Sequence, residues 1–197
     1  MIELKIDSTK NELSLTHDVC CNEHLADELA IIIDIMIADY FIKNGHKYDN
    51  FSLEEKEKII IEKRKENFIK IKDKLKRFEK YFILPEAQEN SEPSWFGFLI
   101  SVREDAPFNR NDIVKYLNDK KIGTRLLFAG NIIKQPYMKD RNYRVIGNLK
   151  NSDFIMNNTF WIGVYPAIND KMIEYIEKCF EIFLENNAIV TRREEKR

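Results

Sequence analysis

The stretch GTRLLFAGNIIKQP, Gly123 to Pro136, sets Thr124, Arg125, Asn131 and Gln135 among leucines, isoleucines and a phenylalanine, in a chain that is 33% charged. Hydroxyl, guanidinium and carboxamide groups at this spacing can hold a polar ligand by donating and accepting hydrogen bonds. Tyr143 and Arg144 extend the set a few residues further on. Burying such groups among apolar neighbours costs free energy unless they are paired. A ligand is one partner that could pair them, and another domain is the other.

Other chemistries find less support in the residues. THDVCCNEH places His17, Cys20, Cys21 and His24 close together, but adjacent cysteines chelate one ion poorly and no CxxC pair is present. No metal is expected, and the bland reading is a loop with one buried thiol. Nucleophilic catalysis needs a base near a serine or cysteine, yet no histidine lies beyond His46 and no GxSxG elbow occurs. The six glycines form no GxGxxG phosphate loop. Between Glu54 and Lys80 there are eleven basic and seven acidic residues, interspersed as on the wet side of an amphipathic helix, so nucleic acid is not expected as a partner.

A net charge of -1 over 197 residues gives no global field for nucleic acid or an anionic membrane. Three cysteines are too few for a disulfide framework and suit reduced, cytosolic thiols. The start, MIELKIDSTK, lacks the apolar core of a secretory signal. The most apolar run, Leu25 to Ile42, is broken by Asp27, Glu28, Asp34 and Asp39, so no membrane span is expected and the protein reads as soluble and cytoplasmic.

The elements that must position the polar set follow from periodicity. IELKID and NELSLTH alternate, with Ile2, Leu4 and Ile6 on one face and Leu13 and Leu15 on one face, and STKN between them predicts a hairpin. Asn22 caps a helix running through Leu25, Leu29, Ile33, Ile37 and Phe41, which Gly45 ends. Ser52 with Glu55 forms a capping-box pattern ahead of a long helix whose seam steps through Phe68, Ile71, Leu75, Phe78 and Phe82. Leu84-Pro85 stops it.

Beyond that point WFGFLISVR reads as a strand, and NRNDIVKYLNDKK as a helix capped near Asn109 or Asn111 with Gly123 after its end. TRLLF and TFWIGVYP are further strands. A closing helix places Met172, Ile173, Ile176, Phe180 and Phe183 on one face. The fold class is α+β, a small antiparallel-type sheet covered by helices. Residues 1–53 form a hairpin-plus-helix module, 54–186 the main domain, and 187–197 a solvated tail.

The words IEKRKENF, FILPEAQENSEPSWFGFLISV, KIGTRLLFAGNIIKQPYM and YRVIGNLKNSDFIMNNTFWIGVYP resemble, in order and spacing, the C-terminal small domain of the DegT/StrS sugar aminotransferase family. The pattern is nearest to its nucleotide-hexose 3-dehydrase branch, that of CDP-4-dehydro-6-deoxyglucose 3-dehydrase in lipopolysaccharide sugar synthesis. The resemblance runs from about Ile61 to Leu184 and implies the C-terminal fold of fold-type I pyridoxal-phosphate enzymes. Aminotransferases of the family carry histidines in the segment ending in Gln-Pro; Leu127 and Ile133 stand at the corresponding positions, which is the dehydrase pattern.

By resemblance, the segment from Thr124 to Gln135 lies near cofactor and sugar at a subunit interface. Thr124, Arg125, Phe128, Asn131, Gln135, Tyr143 and Arg144 are then substrate-side candidates, with no catalytic residue among them. In the family a preceding large domain holds pyridoxamine 5'-phosphate, which forms a Schiff base with the sugar's 4-keto group and acts as electron sink while the 3-hydroxyl leaves. Iron–sulfur members add an upstream cysteine cluster, whose spacing Cys20 and Cys21 do not reproduce. Residues 1–60 do not resemble the large domain. The resemblance therefore implies a truncated relative that binds no cofactor alone, or a subunit that takes a nucleotide sugar once a separate large domain completes the site, or a non-catalytic homodimerisation module.

Overall fold

The computed structural model describes residues 2–7, 12–17 and 52–194. The chain divides into two compact units, Met1–Lys63 and Arg64–Arg197. In the first, β1 (Ile2–Asp7) and β2 (Glu12–His17) pair antiparallel, with Leu4 opposite Leu15 and Ile6 opposite Leu13, the hairpin expected from their alternation. Cys20, Cys21, His24, His46 and the helix expected from Asn22 to Gly45 lie outside the described residues.

Helix α1 (Leu53–Leu75) starts at the reciprocal pair read from the sequence. Ser52 N–H donates to Glu55 Oε2 at 2.8 Å, and Glu55 N–H donates to Ser52 Oγ at 3.2 Å. The first of these bonds, followed by the Ser52 hydroxyl, holds the Glu55 carboxyl below its ordinary range. Its seam buries Phe68, Ile71 and Leu75. The helix stops earlier than the sequence seam implies: a 3-10 turn follows at Lys76–Phe78, and Phe82 lies in the two-residue strand β3 (Phe82–Ile83). Backbone pairing accounts for the change, since Arg103 N–H donates to Tyr81 O and Phe82 pairs with Val102. Phe82 is buried in the core from the strand, edge-on to Phe180 at 5.5 Å between ring centroids.

β4 (Gly97–Val102), α2 (Arg110–Asp119), β5 (Thr124–Leu126), α3 (Lys150–Asn158), β6 (Thr159–Gly163) and α4 (Asp170–Glu194) complete the second unit. Its four strands lie in the order β3-β4-β6-β5, each neighbouring pair antiparallel. The α+β class is as expected. Alternation along β4 and β6 sends Phe98, Ile100, Val102, Phe160 and Ile162 into the core with Ile113 and Leu117 of α2 and Ile173, Ile176, Phe180 and Phe183 of α4. Met172 departs from that face: it is 45% exposed, one position off the repeat that begins at Ile173. Helix α4 continues to Glu194, past residue 187 where the sequence pattern places the tail.

Asn109 caps α2, accepting from Asn111 and Asp112 N–H while Asp112 Oδ2 accepts from Asn109 N–H. The other end closes differently from the sequence reading. Ile122 N–H reaches Leu117 O and Lys121 N–H reaches Asn118 O, with Lys121 at φ 64, so lysine takes the left-handed position usually given to glycine. Gly123 lies two residues too late to serve.

Charges on α1 are matched rather than left as a basic stripe. Lys70 pairs with Glu66 and Asp170, Lys74 with Glu177, and Arg77 with Glu177 and Glu181, stitching α1 and its following turn to α4. Among the described residues no helix is long and apolar enough to cross a membrane.

Candidate functional site

The polar set of Gly123–Pro136 separates into a braced frame and an exposed front. Thr124, 6% exposed, is held by both ends of one carboxamide: its N–H donates to Asn118 Oδ1 at 3.2 Å and its Oγ1 accepts from Asn118 Nδ2 at 2.9 Å. This ties the start of β5 to the end of α2. Asn131, 3% exposed, donates from Nδ2 to Asp153 Oδ1 at 2.7 Å and accepts at Oδ1 from Ile133 N–H, capping a 3-10 turn at Ile132–Lys134. Gln135 Nε2 donates to Ala129 O at 2.6 Å, closing the loop on itself.

Asp153 and Lys134 were not singled out by the sequence, yet they complete this frame. Lys134 Nζ lies 2.7 Å from Asp153 Oδ1, the same oxygen that Asn131 engages. The lysine first, then the asparagine amide, hold the Asp153 carboxyl below the ordinary carboxylate range. Asp153 sits on α3, so this short helix positions the loop. Gly130 packs against the same helix at φ 61, where an added Cβ would meet Met156 Cβ at 2.6 Å.

The remaining candidates face outward. Phe128 is 81% exposed and adopts φ 47, a conformation that costs a non-glycine residue about 1–2 kcal/mol. Arg125 is exposed and donates from Nη1 to Thr124 O at 2.9 Å, while lying opposite Trp161 in the sheet register. Tyr143 and Arg144 are exposed and form no hydrogen bond or ion pair among the described residues. Leu126, Ile132, Tyr137 and Ile146 are also exposed, giving the front an apolar character.

For Thr124, Asn131 and Gln135 the partners demanded by burial come from within the domain, a source beyond ligand and second domain. Their polar atoms build the loop. The side chains it presents are Arg125, Phe128, Tyr143 and Arg144.

A pyridoxal-type cofactor needs a carboxylate for its ring nitrogen, donors for its phosphate, and a lysine or histidine at the reacting carbon. The described residues do not fit it. No histidine lies beyond His46, and the carboxylate and ammonium nearest the loop, Asp153 and Lys134, are committed to each other and to Asn131. Among the described residues no group of three or more His, Cys, Asp or Glu could hold a metal, while His17 is placed only by its backbone.

A four-stranded antiparallel sheet backed by helices, with a braced loop projecting from its β5 edge, matches part of the fold of solved sugar dehydratases and aminotransferases. The chain belongs to the DegT/DnrJ/EryC1/StrS aminotransferase family, whose pattern matches residues 52–181. It is 50% identical over 123 residues to lipopolysaccharide biosynthesis protein RfbH of Salmonella typhimurium, covering 62% of this chain and 28% of that protein. To the dTDP-4-dehydro-2,6-dideoxy-D-glucose 3-dehydratase of Saccharopolyspora spinosa it is 44% identical over 106 residues, 54% of this chain and 23% of that one. The crystal structure of a GDP-4-keto-6-deoxymannose-3-dehydratase with a trapped PLP-glutamate geminal diamine superposes with a TM-score of 0.56 at 28% identity, over 64% of this chain and 33% of that chain. The similarity thus lies in the deoxysugar 3-dehydratase branch, and this chain spans between about a quarter and a third of those relatives' lengths.

Proposed function

We propose that this domain supplies the sugar-side wall of a nucleotide-deoxysugar 3-dehydratase site and does not dehydrate sugar by itself. The observation that carries the reading is the loop of residues 124–144. Thr124, Asn131 and Gln135 spend their hydrogen bonds on fixing its first part, from which Phe128 and Arg125 are held out toward solvent, while Tyr143 and Arg144 stand exposed further along. Preorganised side chains of that kind suit a cleft closed from the other side. The cofactor is held by a separate pyridoxal-phosphate domain, and the substrate class is a nucleotide-linked 4-keto-6-deoxyhexose, by analogy with the relatives. Leu127 and Ile133, where the aminotransferases of the family carry histidines, favour dehydration over amino transfer.

Two measurements test this. Pyridoxamine or pyridoxal phosphate added to the chain alone leaves the cofactor's absorption spectrum unchanged; stoichiometric binding contradicts the proposal. Co-expression with the cofactor domain of a related 3-dehydratase, deprived of its own small domain, restores a complex and loss of the sugar's 3-hydroxyl. Neither complex nor dehydration from that mixture removes the reading. The exposed apolar front, with Phe128 and Ile146 foremost, favours as a second reading a homodimerisation module, for which light scattering at micromolar concentration is decisive.

A further inference from the structure

Between the C-terminal end of α2 and the first turns of α4, the helix-covered side of the sheet opens into a half-open cavity of about 610 Å3. Its buried lining is Ile122, Ile162, Ile168 and Ile176, and its exposed rim carries Lys120 and Lys121. The volume is that of a small-molecule site, and the lining calls for an apolar body.

The polar groups at the mouth are unevenly committed. Tyr175 O–H donates to Lys120 O at 3.0 Å, pinning the end of α2 to α4. Lys120 Nζ lies 5.6 Å from the centroid of the Tyr116 ring, and neither Lys120 nor Lys121 has a carboxylate partner among the described residues. Lys65, Lys70, Lys72, Lys74, Lys134 and Lys178 have one, whereas Lys76, Lys115, Lys139, Lys150 and Lys171 also lack one among the described residues, so it is the place of Lys120 and Lys121 at the mouth that sets them apart. Lys121 also holds the strained left-handed φ of 64 that closes α2, where glycine would sit without strain. A cation has been placed at the rim against the preference of the backbone.

We propose that this cavity binds an amphipathic monoanion. Its occupant is an apolar carboxylate whose chain lies along the isoleucines and whose headgroup meets Lys120 and Lys121. The competing account is that lysines at a helix C-terminus only complement the helix dipole. That account requires no ligand and predicts no preference for a charged headgroup.

The test uses the full chain, with decanoate as probe, methyl decanoate as its uncharged counterpart and inorganic phosphate as a headgroup without a chain. Decanoate shifts the backbone amide resonances of Gly123, Gly163 and Ile176 saturably. The ester binds at least about tenfold more weakly, the scale of a lost charge-assisted hydrogen bond, and phosphate does not bind. Lys121→Gly raises Tm while lowering decanoate affinity, Lys120→Ala lowers it further, and Met172→Trp at the rim blocks entry. No saturable decanoate binding, equal affinity for acid and ester, resonance shifts centred elsewhere, or unchanged affinity in the double lysine variant each overturn the proposal.

Discussion

Asn131 Nδ2 and Lys134 Nζ converge on one oxygen of Asp153, each at 2.7 Å, so a single carboxylate from α3 fixes both ends of the 3-10 turn that follows β5. The carboxamide is buried and the ammonium half-exposed, so the two contacts differ in weight. Salt screens the exposed ammonium, whereas the buried carboxamide has no water to replace its acceptor.

Asn131→Ala therefore costs about 1–3 kcal/mol in chemical denaturation, because Ile133 N–H and Asp153 lose a buried partner. Lys134→Ala shifts the midpoint by less than half as much. Equal effects would mean that the exposed ion pair, and not the amide, braces the loop.

Acid acts on the same carboxylate. The folded state holds the Asp153 carboxyl below its usual range, so its contribution is fully present above the unfolded value near pH 4 and is lost as pH falls through the lower, folded value. Amide exchange at Ile133 and Lys134 accelerates below about pH 4 in the wild type, relative to core amides of β4. In Asp153→Asn that acid step disappears.

Two left-handed residues in one loop respond oppositely to substitution. Gly130→Ala forces a Cβ onto Met156 at an unfavourable φ and destabilises by about 2–4 kcal/mol. Phe128→Gly removes strain from an exposed position and stabilises by about 0.5–1.5 kcal/mol, with loss of any complex that uses the ring. Thermal unfolding of the two variants checks both signs.

Phe160 is fully buried in β6, so Phe160→Ala costs about 3–5 kcal/mol. Phe96→Ala, at a half-exposed ring edge-on to Trp161, costs under about 1.5 kcal/mol. Urea midpoints at unchanged slope distinguish the two.

The parts of this fold legible in the sequence are those whose partners are local. The capping box of Ser52 with Glu55 spans three residues, Asn109 is one of the two caps the sequence offers for α2, and the alternation of β4 and β6 shows their buried faces directly. β3 has two residues and exists because β4 accepts it, so the apolar seam of α1 runs through it unmarked. α3 is nine residues with a short apolar run, too brief for a period to register. For the candidate site, spacing shows that Thr124, Asn131 and Gln135 need partners. Those of Thr124 and Asn131 lie 6 and 22 residues away in Asn118 and Asp153, that of Gln135 is the Ala129 carbonyl, and only the folded chain brings them together. Gly123, which follows the end of α2, is bypassed because the Lys121 and Ile122 amides already satisfy Asn118 O and Leu117 O.

The central pairing of the sheet joins β4, which ends at Val102, to β6, which begins at Thr159. During synthesis at about 5–20 residues per second, the aromatic edge of β4 waits several seconds for its neighbour to emerge. Until then Phe98 and Ile100 have only helices to cover them, and the nascent chain is at its most adhesive. Shielding by a chaperone, or slow translation placed after residue 163 rather than before it, would govern how much of this polypeptide a cell recovers in usable form.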